Sequence, residues 1–497
     1  MITKNSKHIA ITFGPITRLA SSVRSTKGLW ASSYFFSYLA KCIITPFRKR
    51  KFIVPIVDDV LLWQNDNGIG RFPDRYIFQS EVGDFECLTS KTVEVRDQFI
   101  EEIFSFFGGK YPKENIKKFI YNYIKIYAFE KECISNNIAK ECESILDLME
   151  MQDSFNLEEP VNYLSLMFDN TALSQSFIAQ EAFMKTDQVQ LFDSLDTIAK
   201  TELKGKPDDK TKPYHSYIAI IKADGDNMGE TIKSLLDKGK AVIDLSKLLL
   251  EFGINAIQTI EKYEARLIFL GGDDLLVFAP VKNGNSSVFS LIEALNNDFN
   301  NSMAGLDVKP TLSFGLSITY DKFPMGEALE IAEHCLNEAK NDNFHPYKNT
   351  VVFNVQKHSG QSFSAFLEKN TATYPLFLSL INTYTADDED IINSIMYWLG
   401  HNDAILKSIL KLDEESGQEQ RLENYFDNSF NEDVHSSLQP FFKTLRNFLI
   451  VAYHDARSND EATSENEDKE EKAKEAIAKL YSALRFIHFI KNKRDEQ

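Results

Sequence analysis

Apolar positions along the chain recur with two different spacings, and the changes of spacing outline its elements. HIAITF (8–13) is an apolar run of strand length. After the turn at Gly14-Pro15, residues Leu19, Val23, Leu29, Phe36 and Leu39 predict one helix to about Leu39. FIVPIVDDVLLW (52–63) reads as a strand with irregular chain, and NDNGIGRFPDRY (65–76) as a glycine-bearing loop. A helix over 93–107 stops at Gly108 and Gly109. Ile116, Phe119, Ile120, Tyr123, Ile124 and Tyr127 keep helical spacing, as do later segments to about 200. The first 200 residues therefore read as a small α+β unit followed by a helical one.

KGKPDDKTKP (204–213) is a charged linker, and the pattern changes after it. YIAII (217–221) is a buried-type strand, and a long helical region runs from about 230 to 262, with a break suggested at Lys238–Lys240. RLIFL (266–270) and LLVFA (275–279) flank GGDD as two strands. A helix near 287–303, the alternating TLSFGLSITY (311–320), a helix over about 325–340 and NTVVFNV (349–355) complete the run. The order β-α-β-β-α-β is ferredoxin-like. From 364 onward the periodicity is almost wholly helical, with Asp460–Glu471 read as a solvated acidic loop.

The chain has 497 residues, enough for roughly three or four domains. Fifty-five basic and 73 acidic residues give a net charge of −18. Such a chain is a poor general binder of nucleic acid, so RNA or DNA contact requires a local basic patch or a partner subunit. The densest basic run, Arg48-Lys49-Arg50-Lys51, reads more readily as solvated surface than as an RNA contact. Trp30 and Trp63 read as core or subunit contacts rather than base stackers. Five scattered cysteines without a CxxC indicate a reducing compartment rather than a disulfide framework. The N-terminus lacks the pattern of a signal peptide, and SYFFSYLAKCII is too short to span a bilayer, so the expected location is cytoplasmic.

The chemistry concentrates in the middle unit. Its first strand runs into ADGDNMGE, carrying Asp224 and Asp226, and its hairpin turns at Gly271, Gly272, Asp273 and Asp274. In this topology the strand end and the hairpin tip are neighbours, so up to four carboxylates meet at one sheet edge. Clustered carboxylates repel, divalent cations relieve the repulsion, and oxygen-only donors select Mg²⁺ or Mn²⁺. Two such ions on Asp224, Asp273 and Asp274 suit a nucleoside triphosphate attacked in line by a 3′-hydroxyl. Gly271 and Gly272 let backbone approach phosphate, and the helix opening at Gly229 offers free N–H groups. Taken singly, GGDD also reads as a solvated hairpin turn, and DGD as a polar strand end.

These motifs resemble the large, polymerase/cyclase-like subunit of type III CRISPR effector complexes, and most closely its type III-B (Cmr) branch. IKADGDNMGE and FLGGDDLLVFAP resemble its catalytic palm motifs, and SFGLSITYDKFPMGEALEIAEHCLNEAK (313–340) its next strand and helix. ITFGPITRLASSVRSTKGLWASSYFFSYL (11–39) resembles its first, non-catalytic palm, and GRFPDRY (70–76) a later element in which Asp74 replaces Asn. The resemblance implies an α+β fold of two ferredoxin-like palms, a helical insert and a C-terminal helical bundle. The corresponding domains are 1–110, 111–203, 214–358 (catalytic) and 359–497.

It further implies synthesis of a signalling nucleotide from ATP when target RNA binds. The product is a cyclic oligoadenylate or an AMP conjugate of S-adenosylmethionine. Asp224, Asp273 and Asp274 carry over as metal ligands, with Asp226 a weaker ligand or a group just behind them. Asn227 is implied at a base or sugar and Lys340 at a phosphate, while Ser32 and Arg24 are candidates on the first palm's side of the pocket. The implied partners are other subunits and, through them, guide and target RNA. Two departures stand out. The HD nuclease of many members needs several histidines, but the first 214 residues hold only His8, and His454-Asp455 is placed on a solvent-facing helix side. The missing CxxC likewise argues against a zinc site. The alternatives are a silent structural palm and a diguanylate-cyclase-like enzyme.

Overall fold

The computed structural model describes residues 6–55, 63, 70–133, 138–151, 161–182, 194–205, 211–237, 243–341, 348–384, 389–412, 417–430, 438–458 and 465–491. The first unit comprises β1 (Lys7–Gly14), α1 (Ile16–Ser22), α2 (Thr26–Ile44), β2 (Phe52–Val54), β3 (Arg75–Gln79), α3 (Asp84–Phe106), α4 (Lys113–Tyr123) and β4 (Lys125–Glu132). Its antiparallel sheet has the order β2-β3-β1-β4.

Two expectations change here. The single helix to Leu39 is two helices, because the Asp169 carboxylate holds the chain between them. It accepts from Arg24 N, Ser25 N and Ser25 Oγ at 2.9, 3.0 and 2.6 Å. Ser25 Oγ in turn caps α2 through Gly28 N at 3.1 Å. The helical spacing through Tyr127 ends at Tyr123, and after Ile124 the eight residues Lys125–Glu132 pair with β1 from Lys7↔Glu132 to Gly14↔Lys125. A boundary at residue 110 would therefore cut the first sheet. This edge strand is only partly buried along its length, so no clean alternation marks it.

Helix α5 (Ile138–Met151) packs outside β1 and β4, with Cys142 Sγ 3.7 Å from Cys133 Sγ. In the basic run, Arg50 is tied to Asp84 at 2.8 Å and to Glu81 at 3.1 Å. Trp30 is buried in the first core, and Trp63 meets the Phe72 ring edge-on.

The second unit comprises β5 (Tyr217–Asp226), α6 (Met228–Asp237), α7 (Ile243–Lys262), β6 (Arg266–Gly271), β7 (Asp274–Pro280), α8 (Val288–Ser302), β8 (Thr311–Tyr320), α9 (Met325–Ala339), β9 (Thr350–Gln356) and β10 (Ser362–Glu368). The suggested break at Lys238–Lys240 lies outside the described residues. The sheet order is β10-β9-β8-β5-β7-β6. Its β8-β5-β7-β6 part repeats the β4-β1-β3-β2 order of the first unit, so both units have the ferredoxin-like arrangement. Strand β10, in a region read as helical, pairs antiparallel with β9.

The catalytic-type sheet is covered on both faces, which explains its near-continuous apolar strands. Ala219, Ile221, Ala223, Val277 and Phe314 share a core with α7, α8 and the C-terminal helices. Ile218, Ile220, Leu276 and Phe278 instead join the core of the first unit, with Ala328 and Ala332 of α9. By the same alternation, Lys222 and Asp224 point toward the first unit.

The C-terminal part is helical: α10 (Thr373–Thr383), α11 (Glu389–His401), α12 (Asp403–Leu410), α13 (Gln418–Ser429), α14 (Gln439–Ser458) and α15 (Glu465–Lys491). The acidic loop is shorter than expected, since α15 begins at Glu465. His454 is not solvent-facing; its Nε2 lies 3.2 Å from Gln418 Oε1 and it is half-buried. Asp455 accepts from Thr373 N and Oγ1 at 2.8 and 2.6 Å, tying α14 to α10. Among the described residues no helix is long and apolar enough to cross a membrane.

Candidate active site between the two palms

A cavity of about 770 Å³ lies between the two units. The second unit contributes Lys222 and Asp224 of β5, the hairpin residues Gly271, Gly272 and Asp274, the inner side of α7, and Glu333, Asn337 and Lys340 from α9 and its cap. The first unit contributes Ser33, Phe36 and Ser37 of α2 and the segment Gly70–Asp74.

The hairpin tip and the strand end meet, as the topology predicts. Gly271 pairs with Asp274, leaving Gly272 and Asp273 as a two-residue turn. Gly272 has φ 69°, a conformation in which glycine is unstrained. A Cβ built on Gly225 would lie 2.5 Å from Asp273 Oδ2, so the carboxylate rests directly on the Asp224-Gly225-Asp226 backbone.

The electrostatics follow from that proximity. Burial, and then the charge of Asp224, push the Asp273 carboxyl up. Burial, and then Asp224 and Asp273, push Asp274 up to about 7 against the fields of Lys222 and Lys340. Asp274 has exposed surface at the cavity rim, but protein on its other sides removes enough water to disfavour its charge. Lys340, just past the end of α9, donates to Asp224 Oδ2 and, at 2.9 Å, to the Gly225 carbonyl. Two residues earlier on β5, Lys222 is paired with Glu333 of α9.

Helix α9 is seated tightly. A Cβ on Gly315 of β8 would lie 2.3 Å from Ala332 O and 2.4 Å from Leu336 N, so only glycine permits this approach. That contact fixes Glu333, Asn337 and Lys340 over β5.

Not every expected residue joins the cavity. Asp226 is fully buried and turned into a polar knot. Its Oδ2 accepts from Thr311 Oγ1, Ser313 Oγ and Asn349 N at 2.7, 2.9 and 3.0 Å. Nearby, Lys369 donates to Asn296 Oδ1 and Leu312 O, both at 2.5 Å. Burial holds the Lys369 ammonium down at about 7, with Asp226 opposing the shift. The expected place of Asp226, as a weaker ligand or a group just behind the metal set, changes only in part: Oδ2 is held by protein, while Oδ1 is buried and has no hydrogen-bond partner. Ser32 is also corrected, since it is fully buried and donates to Leu29 O at 2.7 Å; the next residue, Ser33, lines the cavity. Asn227 is exposed with φ 55°, and its carbonyl accepts from Thr231 N at the start of α6. Neither Asn227, Gly229 nor Arg24 lines the cavity.

Among the described residues no three Asp, Glu, His or Cys side chains stand at caging distance for a metal ion. The carboxylates are assembled, with Lys340 on Asp224. Hard-oxygen donors with raised pKa are nevertheless a set suited to Mg²⁺ or Mn²⁺.

Sequence reading missed Lys222, Glu333, Asn337 and Ser37. The signal for the first three was parity: Lys222 is two residues from Asp224, and Glu333, Asn337 and Lys340 share one face of α9. Ser37 carries no such signal; its Oγ accepts from Phe72 N at 2.8 Å, and Gly70 packs on it with a would-be Cβ at 2.6 Å.

Known families match both halves of this architecture. The Cas10/Cmr2 second palm domain matches residues 217–352, and the CRISPR-associated protein Cmr2 N-terminal domain matches residues 8–106. Both matched domains are those of the Cas10/Cmr2 family. The CRISPR system Cmr subunit Cmr2 of Pyrococcus furiosus is 28% identical over 172 residues, 30% of this chain. The matched stretch spans only 19% of that relative's length. Among solved structures, a Csm1-Csm4 cassette in complex with cA4 aligns over 97% of this chain and 70% of its own. It does so at 12% identity and a TM-score of 0.48. A type III-B Cmr-beta structure in its apo state covers 73% of this chain and 70% of its own, at 11% identity and a TM-score of 0.45.

Proposed function

We propose that the chain is the nucleotidyltransferase subunit of a type III-B CRISPR RNA-guided effector complex, making a signalling nucleotide from ATP in antiviral defence when target RNA binds. The supporting observation is that Asp224 and Asp274 line the cavity between the two palms, with Asp273 resting on Gly225 beside them. The branch follows the likeness to Cmr2. In the reaction a 3′-hydroxyl oxygen attacks the α-phosphorus of ATP, a 3′–5′ phosphodiester forms and pyrophosphate leaves. Asp224, Asp273 and Asp274 would hold Mg²⁺ or Mn²⁺, which when bound supplies acidification of the hydroxyl and charge neutralisation at the pyrophosphate.

The chain's own residues supply the rest. Gly271 and Gly272 let backbone approach phosphate without a Cβ in the way. Lys222 and Lys340 bring positive charge to a cavity wall in an otherwise acidic protein. Ser33 and the Gly70–Asp74 segment close the opposite wall and orient the substrate. The acidic exterior suits docking on partner subunits that carry the guide RNA. The product is a cyclic oligoadenylate, or an AMP conjugate where S-adenosylmethionine is the co-substrate.

The test is mass spectrometry of products from ATP and Mg²⁺, with and without S-adenosylmethionine, using the assembled complex with target RNA. The variant Asp273→Asn/Asp274→Asn should abolish product. Undiminished product would reject the assignment.

A further inference from the structure

We propose that Lys340 is a built-in stand-in for a metal cation: it occupies Asp224 in the nucleotide-free protein and yields it when metal and triphosphate arrive together. The inference rests on the nucleotidyltransferase reading above and deepens it.

Three observations carry it. Lys340 Nζ takes one carboxylate oxygen of Asp224 together with the main-chain oxygen of Gly225, a pair of hard oxygens of the kind a divalent ion takes. Of the cations that line the cavity, Lys222 is paired with Glu333, and Lys340 is seated on Asp224. Helix α9 cannot drift away, because Gly315 seats it backbone to backbone on β8; release of Asp224 therefore comes from the Lys340 side chain alone.

The physical consequence is a coupling between two ligands. Three carboxylates without a cation repel one another, and Lys340 relieves that repulsion in the resting protein. A metal ion arriving alone must displace Lys340 and leave its ammonium without a partner. A metal ion arriving with a triphosphate meets no such penalty, because the displaced ammonium transfers to phosphate oxygen. Metal and nucleotide then bind cooperatively, each raising the affinity of the other by the same factor. Lys340 is thus a positioning residue, acting through Asp224. Lys340 and Asp224 keep 23% and 34% of their side-chain surface exposed, so the effect is that of a partly screened pair.

The experiment is Mn²⁺ titration of the full chain followed by electron paramagnetic resonance, with and without a non-hydrolysable ATP analogue. Wild type, Lys340→Met and Asp224→Asn are compared, with circular dichroism melts to establish that each is folded. For Mn²⁺ alone, Lys340→Met should bind roughly twofold to fivefold tighter than wild type, the scale of a partly exposed ion pair. With the analogue present the order should reverse, since the variant lacks the ammonium that follows the phosphate. A purely structural role would weaken both titrations. Unchanged or weaker Mn²⁺ binding by Lys340→Met without nucleotide, while Asp224→Asn has lost it, overturns the stand-in role alone. If Asp224→Asn binds Mn²⁺ as well as wild type, the metal assignment beneath it fails instead.

Discussion

Asp273 lies against Gly225: the space a Cβ would fill on that glycine is taken by the Asp273 carboxylate, 2.5 Å away. The hairpin tip and the first strand of the catalytic-type palm therefore meet at a residue without a side chain. Gly225→Ala should push the tip away while leaving the sheet paired. Product formation from ATP should fall by at least about tenfold, because an ångström of misplacement costs that much or more. The readout is initial rate beside a melting curve, and an unchanged rate would show that the tip tolerates displacement.

Gly315 plays the corresponding role for α9. With Ala332 O at 2.3 Å and Leu336 N at 2.4 Å from its would-be Cβ, Gly315→Ala forces backbone to move. Destabilisation of about 2–3 kcal/mol is expected from overpacking. Urea unfolding measures it directly, and a loss below about 0.5 kcal/mol would contradict the close seating.

The two acids of DGD should separate by phenotype. Asp224→Asn is expected to lose Mn²⁺ binding and keep its stability. Asp226→Asn should keep Mn²⁺ binding and unfold more readily, because the three buried donors on Oδ2, from Thr311, Ser313 and Asn349 N, then meet a neutral amide oxygen instead of a charged carboxylate. Loss of Mn²⁺ binding by a folded Asp226→Asn protein would return Asp226 to the metal set.

Most of the catalytic-type palm was legible before the structure was known. Asp224, Asp273 and Asp274 stand in strings whose order implies a β-α-β-β hairpin, and pairing between adjacent strands is local enough for such a rule to hold. The orientation of Asp226 was not legible. Its partners Thr311, Ser313 and Asn349 come from chain more than eighty residues away, and sequence spacing carries no record of that approach. Ser32 was displaced by one position for a similar reason: the face α2 shows the cavity depends on the crossing of two units.

A network away from the cavity gives a pH-dependent test. Glu202 Oε2 accepts from Tyr214 Oη at 2.6 Å and lies 2.9 Å from His215 Nε2. Burial alone would raise its pKa, but the bonds from His215 and Tyr214 and the charge of Lys282 outweigh burial and hold it at about 2. A carboxyl depressed on folding stabilises the protein above its unfolded pKa, and that stability is lost as pH falls through the folded value. Glu202→Gln should therefore lower the urea midpoint at pH 7, and the gap to wild type should narrow between about pH 5 and pH 2. A gap that stays constant with pH would show that Glu202 contributes by packing alone.

The sequence by itself determined the order of strands and helices from β5 to β9 in the second palm, and which acids bracket its hairpin, because these depend on neighbours along the chain. Only the tertiary structure decided that β4 completes the first sheet, that Lys340 rather than open solvent faces Asp224, and that Ser33, Ser37 and the Gly70–Asp74 segment wall the cavity. Each of those depends on two surfaces distant in sequence being buried together, and burial is a property of the assembled fold rather than of any stretch of residues.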